Sequence, residues 1–259
     1  MKIWAVANQK GGVGKTTTSI SLSGLASSRQ HKTLLVDLDP HGSMTSYMGY
    51  DPDTLKEGVY QLFQRAANQE PFLISSLIKK TQFEYLDILP ASTALATLDR
   101  QLGTQNGMGL VLSRALLSVQ DIYEHVFIDC PPMLGILMIN ALAACDDLLM
   151  PVQTEFLALK GLDRMLDTLT MLNKTRRRPL NYTILPTMFD RRTRSSIESL
   201  RAIHQNYPRE KLSNTVIPID TKFREASRQG KPISVYNASS KGAVSYSVLF
   251  DDLTKAVSV

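Results

Sequence analysis

A glycine-rich turn with the sequence NQKGGVGKTT occupies residues 8–17, between a short apolar run and a segment of helical periodicity. Glycines in such a turn leave consecutive backbone N–H groups exposed, and the N-terminus of the following helix adds partial positive charge. Both features favour the phosphates of a nucleotide. The turn therefore predicts a strand, a phosphate-binding loop and a helix in direct succession, as in an open α/β sheet.

The residues of this turn have distinct expected roles. Lys15 is expected to lie along the β- and γ-phosphates, and the Thr16 hydroxyl is expected to coordinate Mg²⁺. The backbone that would surround the phosphates comes from Gly11, Gly12, Val13 and Gly14. The generic pattern has glycine where this chain has Gln9, and a second lysine, Lys10, follows it.

Short apolar runs alternate with segments of helical period along the chain. The predicted strands are KIWAVAN, KTLLVDLD, HVFIDCPP, DLLMPVQ, NYTILPTMF and NTVIPI, and the predicted helices cover residues 16–28, 95–119, 134–144, 157–172, 197–204 and 243–256. Continuous apolar strands are typical of a sheet that is buried on both faces. We therefore predict an α/β, single-domain P-loop NTPase with a mostly parallel, twisted sheet and helices on both faces.

Composition sets the size and class of the protein. The 259 residues are 43% apolar and 20% charged, which predicts one globular domain over residues 1–259. Residues 50–83 carry short apolar stretches interrupted by proline and glycine, and predict a small helical insertion. The two cysteines lack the spacing of a metal site, and the longest apolar stretch is too short to span a bilayer. We expect a cytoplasmic protein without membrane insertion.

Two aspartates follow predicted strands at the sheet edge where open α/β sheets bind ligands. Asp129 ends the run VFID and fits a Walker B carboxylate that holds Mg²⁺ through water. Asp39 ends VDLD and fits a metal-site residue that also orients or activates the attacking water. Either carboxylate could instead cap the following helix, and Asp37 competes with Asp39 for its role.

The motifs K-G-G-V-G-K-T-T, D-L-D-P and I-D-C-P-P together resemble the deviant-Walker ATPases of the ParA and MinD group. The resemblance runs from Lys2 to about Lys255. It implies ATP as the nucleotide, and a homodimer in the ATP state that Lys10 completes by reaching the partner's phosphates. It makes Lys10, Lys15 and Asp39 the expected catalytic residues.

The resemblance also assigns weaker positions. Thr17 is expected to support the phosphate site, and Thr187, Met188 and Pro218 are expected near the adenine base. The family usually has glutamine after D-P, whereas this chain has His41, which either tunes the switch after Asp39 or has no effect. We expect slow basal hydrolysis that an activator protein, ParB-like or ParP-like, stimulates.

Positive residues concentrate in the last third of the chain, although the net charge is only +5. Their position resembles that of the basic DNA-contacting residues of the ParA family and predicts non-specific DNA binding, although Ile219 stands where that family often has arginine. Charge runs are also common on ordinary solvated faces. The candidate DNA-binding residues are Arg191, Arg192, Arg194, Lys222 and Arg224.

The cargo stays open between DNA and a protein assembly. The stretch DLDPHGSMTSYMGYDPDTL resembles ParC-type members that position polar chemotaxis arrays, so the nucleoid and a cell pole are both candidate locations. The chain starts at the first strand, and no N-terminal helix-turn-helix extension is expected. The alternatives are a MinD/FlhG-like spatial regulator at the membrane and a dethiobiotin synthetase-like ATP-dependent ligase. The acidic tail helix disfavours the first alternative, and Lys10 disfavours the second.

Overall fold

A seven-stranded sheet forms the centre of the protein in a computed structural model that describes residues 1–103, 107–174, 176 and 178–255. The strand order is β3-β4-β2-β5-β1-β6-β7, and the short edge strand β3 is the antiparallel member. The strands are β1 (Lys2–Val6), β2 (Thr33–Asp37), β3 (Lys79–Lys80), β4 (Leu86–Leu89), β5 (His125–Asp129), β6 (Asp147–Gln153) and β7 (Asn181–Thr187). The predicted α/β fold with a mostly parallel sheet is confirmed.

Helices cover both faces of the sheet, as predicted. They are α1 (Lys15–Ser28), α2 (Ser43–Tyr47), α3 (Val59–Ala67), α4 (Leu98–Leu102), α5 (Val111–Leu117), α6 (Ile136–Ala144), α7 (Phe156–Asn173), α8 (Arg194–Asn206), α9 (Lys222–Arg228), α10 (Ile233–Tyr236) and α11 (Lys241–Lys255). Four short 3₁₀ segments lie at Ile74–Ser76, Thr93–Thr97, Met108–Leu110 and Arg209–Lys211. The predicted last helix extends to residue 256, which lies outside the described residues.

Alternating side chains of the strands enter two separate cores. In β1, Ile3 and Ala5 pack with α3 to α7 on one face, whereas Trp4 and Val6 pack with α1, α2 and α9 to α11 on the other. The two-residue period of a strand produces this division. It explains why the central strands read as continuous apolar runs, since both faces are covered.

Parallel pairing brings the loops that follow β1, β2, β5 and β6 to one edge of the sheet. β1 lies between β5 and β6, and Val6 pairs with Asp129. In the neighbouring pair, Asp37 is the register partner of Asp129. The glycine-rich loop and both carboxylates therefore meet at the carboxyl edge, where ligands bind in sheets of this kind.

Three elements differ from their prediction. The described part of the predicted helix over residues 95–119 consists of the short helices α4 and α5 and of two 3₁₀ segments. The segment NTVIPI is not a regular strand but runs beside β7 with an isolated parallel bridge between Phe189 and Pro218. The backbone N–H groups of Ile217 and Ile219 donate to the Pro186 and Phe189 carbonyl oxygens, so this segment follows the sheet edge without forming a regular strand. The strand β4 was not predicted at all, because its four residues, LDIL, include a charged side chain. Residues 50–83 contain α3, a 3₁₀ turn and β3, and their apolar side chains join the core of the domain.

Candidate nucleotide site

The glycine-rich loop turns sharply between β1 and α1. Gly12 and Gly14 have φ values of +75° and +93°, which side chains of L-residues rarely adopt. Helix α1 begins at Lys15 directly after Gly14. At the start of a helix the first backbone N–H groups have no intrahelical acceptor, so they are available to an anion.

Lys15 and Thr16 stand at the start of α1 beside the end of β5. The Lys15 side chain is 7% exposed, and its ammonium donates to the Lys10 carbonyl oxygen at 3.3 Å. The Thr16 hydroxyl donates to Asp129 Oδ2 at 2.6 Å. These contacts bring the predicted phosphate lysine, the predicted magnesium hydroxyl and the predicted Walker B carboxylate into one site.

Two carboxylates lie buried at this site. Asp129 and Asp37 are completely buried at the ends of adjacent strands. Burial raises the pKa of Asp37 to about 6, and burial together with the nearby Asp37 charge raises the pKa of Asp129 well above its usual range. Asp129 Oδ1 is buried and has no hydrogen-bond partner among the described residues. An orphan carboxylate oxygen beside a threonine hydroxyl fits a hydrated Mg²⁺ ion, which prefers oxygen ligands and retains water.

Hydrogen bonds hold both the backbone and the side chain of Asp39. Its backbone N–H donates to Asp37 Oδ1 at 3.1 Å, and its Oδ1 accepts from the His41 backbone N–H at 3.1 Å and from His41 Nδ1 at 2.8 Å. The other oxygen of Asp37 accepts from the backbone and hydroxyl of Thr45 at 2.8 and 2.7 Å. Asp37 is therefore a positioning group for the segment after β2, and this role was not predicted.

A cavity of about 560 Å³ opens above the loop. The predicted residues that line it are Gly11, Gly12, Gly14, Lys15, Thr16, Thr17, Asp39 and Met188, together with His41. The other lining residues are Ile20, Ser21, Ser43, Tyr47, Pro132, Phe223, Ser227 and Ile233. These residues were not predicted as site residues, and Tyr47, Phe223 and Ile233 among them come from three separate helices that share no motif.

The predicted adenine residues divide into two groups. Met188 lines the cavity, and the Thr187 hydroxyl supports the loop by donating to the Val13 carbonyl oxygen at 2.8 Å. Pro218 lines a neighbouring cleft instead. Of the three, Met188 alone lies on the described wall of the nucleotide cavity.

Lys10 faces away from the cavity of its own chain. Among the described residues it is not part of the lining, and its ammonium lies 3.7 Å from Glu155 Oε2 next to the start of α7. The Lys10 backbone N–H donates to Asn8 Oδ1 at 3.0 Å, which fixes the loop at this residue. The two lysines of the turn therefore occupy different surroundings.

Three predicted DNA residues share one cleft, although they are distant in sequence. Arg191, Arg192 and Lys222 line it, together with Lys241 at the start of α11. Two of these cations are already paired, since Arg192 contacts Asp190 at 2.8 Å and Lys222 contacts Glu225 at 2.7 Å. Arg194 is paired with Glu198, and Arg224 is exposed, both outside this lining.

Comparison with known proteins decides the family. A model of the AAA domain family, AAA_31, matches residues 1–182. The chain is 39% identical over 246 residues to the sporulation initiation inhibitor protein Soj of Bacillus subtilis, covering 95% of each chain. It is 35% identical to the chromosome partitioning protein ParA of Myxococcus xanthus, covering 98% of this chain and 88% of that protein. The chain belongs to the ParA/MinD family of P-loop ATPases.

A solved structure also resembles this ParA/MinD-family chain. It is cobyrinic acid a,c-diamide synthase from Mycobacterium smegmatis with a bound ATP analogue and magnesium, at 33% identity and a TM-score of 0.82, covering 98% of this chain and 95% of that one. The predicted family and the predicted ATP and Mg²⁺ cofactors are confirmed at the level of the family. None of the described helices combines the length and the apolar character needed to cross a bilayer.

Proposed function

We propose that the protein is an ATP-dependent dimerising switch that positions or partitions a cargo inside the cell. The observation that carries this proposal is the placement of Lys10 at the rim of the site, directed toward Glu155 and outside its own cavity. A lysine so placed could exchange its contact with Glu155 for the phosphates of a second subunit. Lys15 already supplies the cation inside the cavity.

Exposed apolar side chains surround this rim. Met133 and Leu134 follow β5, and Phe156 and Leu157 begin α7 after β6. All four are between 50% and 74% exposed, and the strands they follow flank β1 on either side. A cluster of exposed apolar residues at a ligand-binding edge is typical of a protein interface. This surface supports a dimer that closes over the nucleotide.

The charge balance explains why such a dimer would require ATP. Two triphosphates brought face to face repel each other, and a lysine from each partner offsets that repulsion. In the absence of nucleotide, the two Lys10 ammonium groups would themselves add unfavourable charge to the interface. Pairing of the subunits would therefore report nucleotide occupancy.

Replacement of Lys10 by alanine tests this role. The variant is expected to bind ATP as a monomer with an affinity within about threefold of the wild type, and to weaken dimerisation by about tenfold or more, since a charge contact in trans is lost. Light scattering after gel filtration with Mg²⁺ and a slowly hydrolysed ATP analogue measures the dimer. Lys174→Ala is the matched control, because it removes an exposed lysine at the opposite end of α7. Normal dimerisation of the Lys10 variant would contradict the proposal.

The cavity also suggests how hydrolysis is controlled. Its described lining includes Lys15 but no arginine, so the lining itself supplies no arginine finger. Positive charge at the transferred phosphoryl group is a large part of catalysis in this reaction class. We therefore propose slow basal turnover that a ParB-like or ParP-like activator accelerates.

DNA binding in the ATP state is a further part of the proposal. The cleft cations lie on a face that a dimer would duplicate, and doubled weak phosphate contacts give strongly salt-dependent affinity. Substitution of Arg191, Arg192 and Arg194 by alanine removes two copies of each cation from the dimer and is expected to reduce the steepness of log affinity against log salt by up to about five. Fluorescence anisotropy with random-sequence duplex DNA measures that slope. The control replaces three other exposed arginines, Arg164, Arg201 and Arg209, and an equal loss in both variants would contradict a specific DNA face.

The cargo is proposed from the relatives and from one stretch of sequence. Soj of Bacillus subtilis and ParA of Myxococcus xanthus, at 39% and 35% identity, support partition of a chromosome or plasmid. The ParC-like stretch around His41 supports placement of chemotaxis arrays instead. Neighbouring chemotaxis genes would favour the second cargo, and a neighbouring ParB-like gene with repeated centromere sites would favour the first.

A small-molecule synthase is the second candidate function. The solved structure at 33% identity is named as a cobyrinic acid a,c-diamide synthase, so this fold also accompanies ATP-dependent chemistry on a metabolite. The two functions differ in what stimulates ATP turnover. Stimulation by a carboxylate metabolite without a protein activator would favour the synthase, whereas ATP-dependent dimers that respond to a protein activator would favour the switch.

A further inference from the structure

His41 is the exposed residue that contacts the predicted catalytic carboxylate. Its side chain is 80% exposed, whereas that of Asp39 is 14% exposed. The His41 ring nitrogen Nδ1 lies 2.8 Å from Asp39 Oδ1, which also accepts the His41 backbone N–H. Because the His41 ring is mostly exposed, packing against neighbouring residues does not fix its orientation. The hydrogen bond to Asp39 does.

The contact divides the two oxygens of Asp39 between different tasks. Oδ1 accepts two hydrogen bonds from His41, and within the described residues no hydrogen bond reaches Oδ2. The backbone of Asp39 is anchored separately by Asp37 Oδ1. Oδ1 is thus occupied by hydrogen bonds from the protein, whereas Oδ2 accepts none from the described residues. Asp39 itself lines the nucleotide cavity.

We propose that His41 is a positioning residue for hydrolysis, which acts by donating its Nδ1–H to Asp39 Oδ1 so that Oδ2 is presented to the attacking water. This inference rests on the proposed function, because it takes Asp39 as the group that orients the water. His41 contributes orientation and does not itself meet the reacting atoms. A freely rotating carboxylate would lose conformational entropy on reaching the reactive orientation. The hydrogen bond from His41 fixes that orientation before the reaction and so lowers the barrier.

Substitution of His41 by asparagine or by glutamine tests the roles of its two ring nitrogens separately. The side-chain amide nitrogen of asparagine occupies the place of Nδ1, and that of glutamine occupies the place of Nε2. The variants His41→Asn, His41→Gln and His41→Ala leave buried packing intact, since the side chain is mostly exposed. We expect His41→Asn to keep kcat within about twofold, and the other two to lower kcat by about five- to tenfold with KM for ATP unchanged.

A second measurement needs no nucleotide. In the ATP-free protein at a pH where imidazole is neutral, a long-range ¹H–¹⁵N spectrum reports which ring nitrogen carries the proton. The chain has four histidines, and the peaks that disappear in His41→Asn identify His41. We expect the Nδ1–H tautomer in the wild type and its loss in Asp39→Ala.

The outcomes distinguish this inference from the proposed function. Wild-type kcat in His41→Ala, equal rates for the asparagine and glutamine variants, or an Nε2–H tautomer would each overturn the role of His41. Wild-type turnover in Asp39→Ala would overturn it as well, because no positioned carboxylate would be needed. Failure of the ATP-loaded protein to dimerise would remove the switch function, while the rates and the tautomer would still decide the role of His41 in hydrolysis.

Discussion

Replacement of Lys15 by alanine is expected to weaken ATP binding by about a hundredfold or more. The ammonium is nearly buried at the start of α1, and its contact in the described chain is the Lys10 carbonyl oxygen at 3.3 Å. A phosphate oxygen would give this ammonium a charged partner in surroundings that water screens poorly, and truncation removes the whole contact. Calorimetric titration with an ATP analogue and Mg²⁺ measures the loss.

Lys10→Ala is the matched control for this experiment, because it removes the other lysine of the same turn. It is expected to bind the analogue within about threefold of the wild type at concentrations where the protein is monomeric. Circular dichroism should show an unchanged fold for both variants. Equal losses of affinity would mean that the two lysines share one role, and the distinction between cavity and rim would be wrong.

Replacement of Asp129 by asparagine is expected to have opposite effects on the empty and the loaded protein. Without ligand, asparagine removes a buried group that must either hold a proton or bear a charge beside Asp37, so the unfolding temperature should rise by about 2–6 °C. With Mg²⁺ and the ATP analogue, the wild type should gain stability by binding, and the variant should gain little. The two proteins should therefore exchange rank when ligand is added.

The pH dependence of the empty protein follows from the same carboxylates. Both have a pKa above the usual value, about 6 for Asp37 against 3.8, so the folded state holds more protons than the unfolded chain over that interval. Their contribution to the free energy of unfolding is present below about pH 4 and falls as pH rises through 6. Asp129→Asn should flatten this fall.

Calorimetric melts with and without ligand test both expectations. Asp121→Asn is the control, because it neutralises an exposed carboxylate outside the site and should change neither melt by more than about 1 °C. An Asp129 variant that is destabilised when empty would refute the account of this carboxylate as a source of instability. Full stabilisation of the variant by Mg²⁺ and the analogue would refute its role in holding the metal.

Much of the fold was accessible from the sequence because its central strands are short, apolar and separated by helical segments. The runs at Lys2–Val6 and His125–Asp129 have no competing pattern, since both of their faces are buried. β4 was missed because Asp87 interrupts it, and this charge is tolerated because Lys32, Lys80 and Tyr123 contact its carboxylate. Such long-range partners leave no local signal.

The residues of the site likewise fall into those that a local motif predicts and those that only the folded structure brings together. The loop, Thr16 and Asp129 occur in motifs whose spacing follows from phosphate and metal chemistry, and the structure brings them together. The wall formed by Tyr47, Phe223 and Ile233 was not foreseen, because each residue comes from a different helix or loop. The contact between His41 and Asp39 was also not predicted, since residues two apart in a loop face each other only when the turn is known.

Gly161 has a mechanical consequence for the phosphate loop. A methyl group added there would lie 3.0 Å from Lys10 Cβ and 3.3 Å from Asn8 Oδ1, so α7 touches the loop without slack. The Gln9 side-chain amide also donates a hydrogen bond of 2.8 Å to the Thr168 hydroxyl, about two turns further along α7. Movement of this loop on nucleotide binding would therefore be transmitted to the 18-residue helix α7. The exposed apolar side chains at the start of α7 would then change position when nucleotide binds.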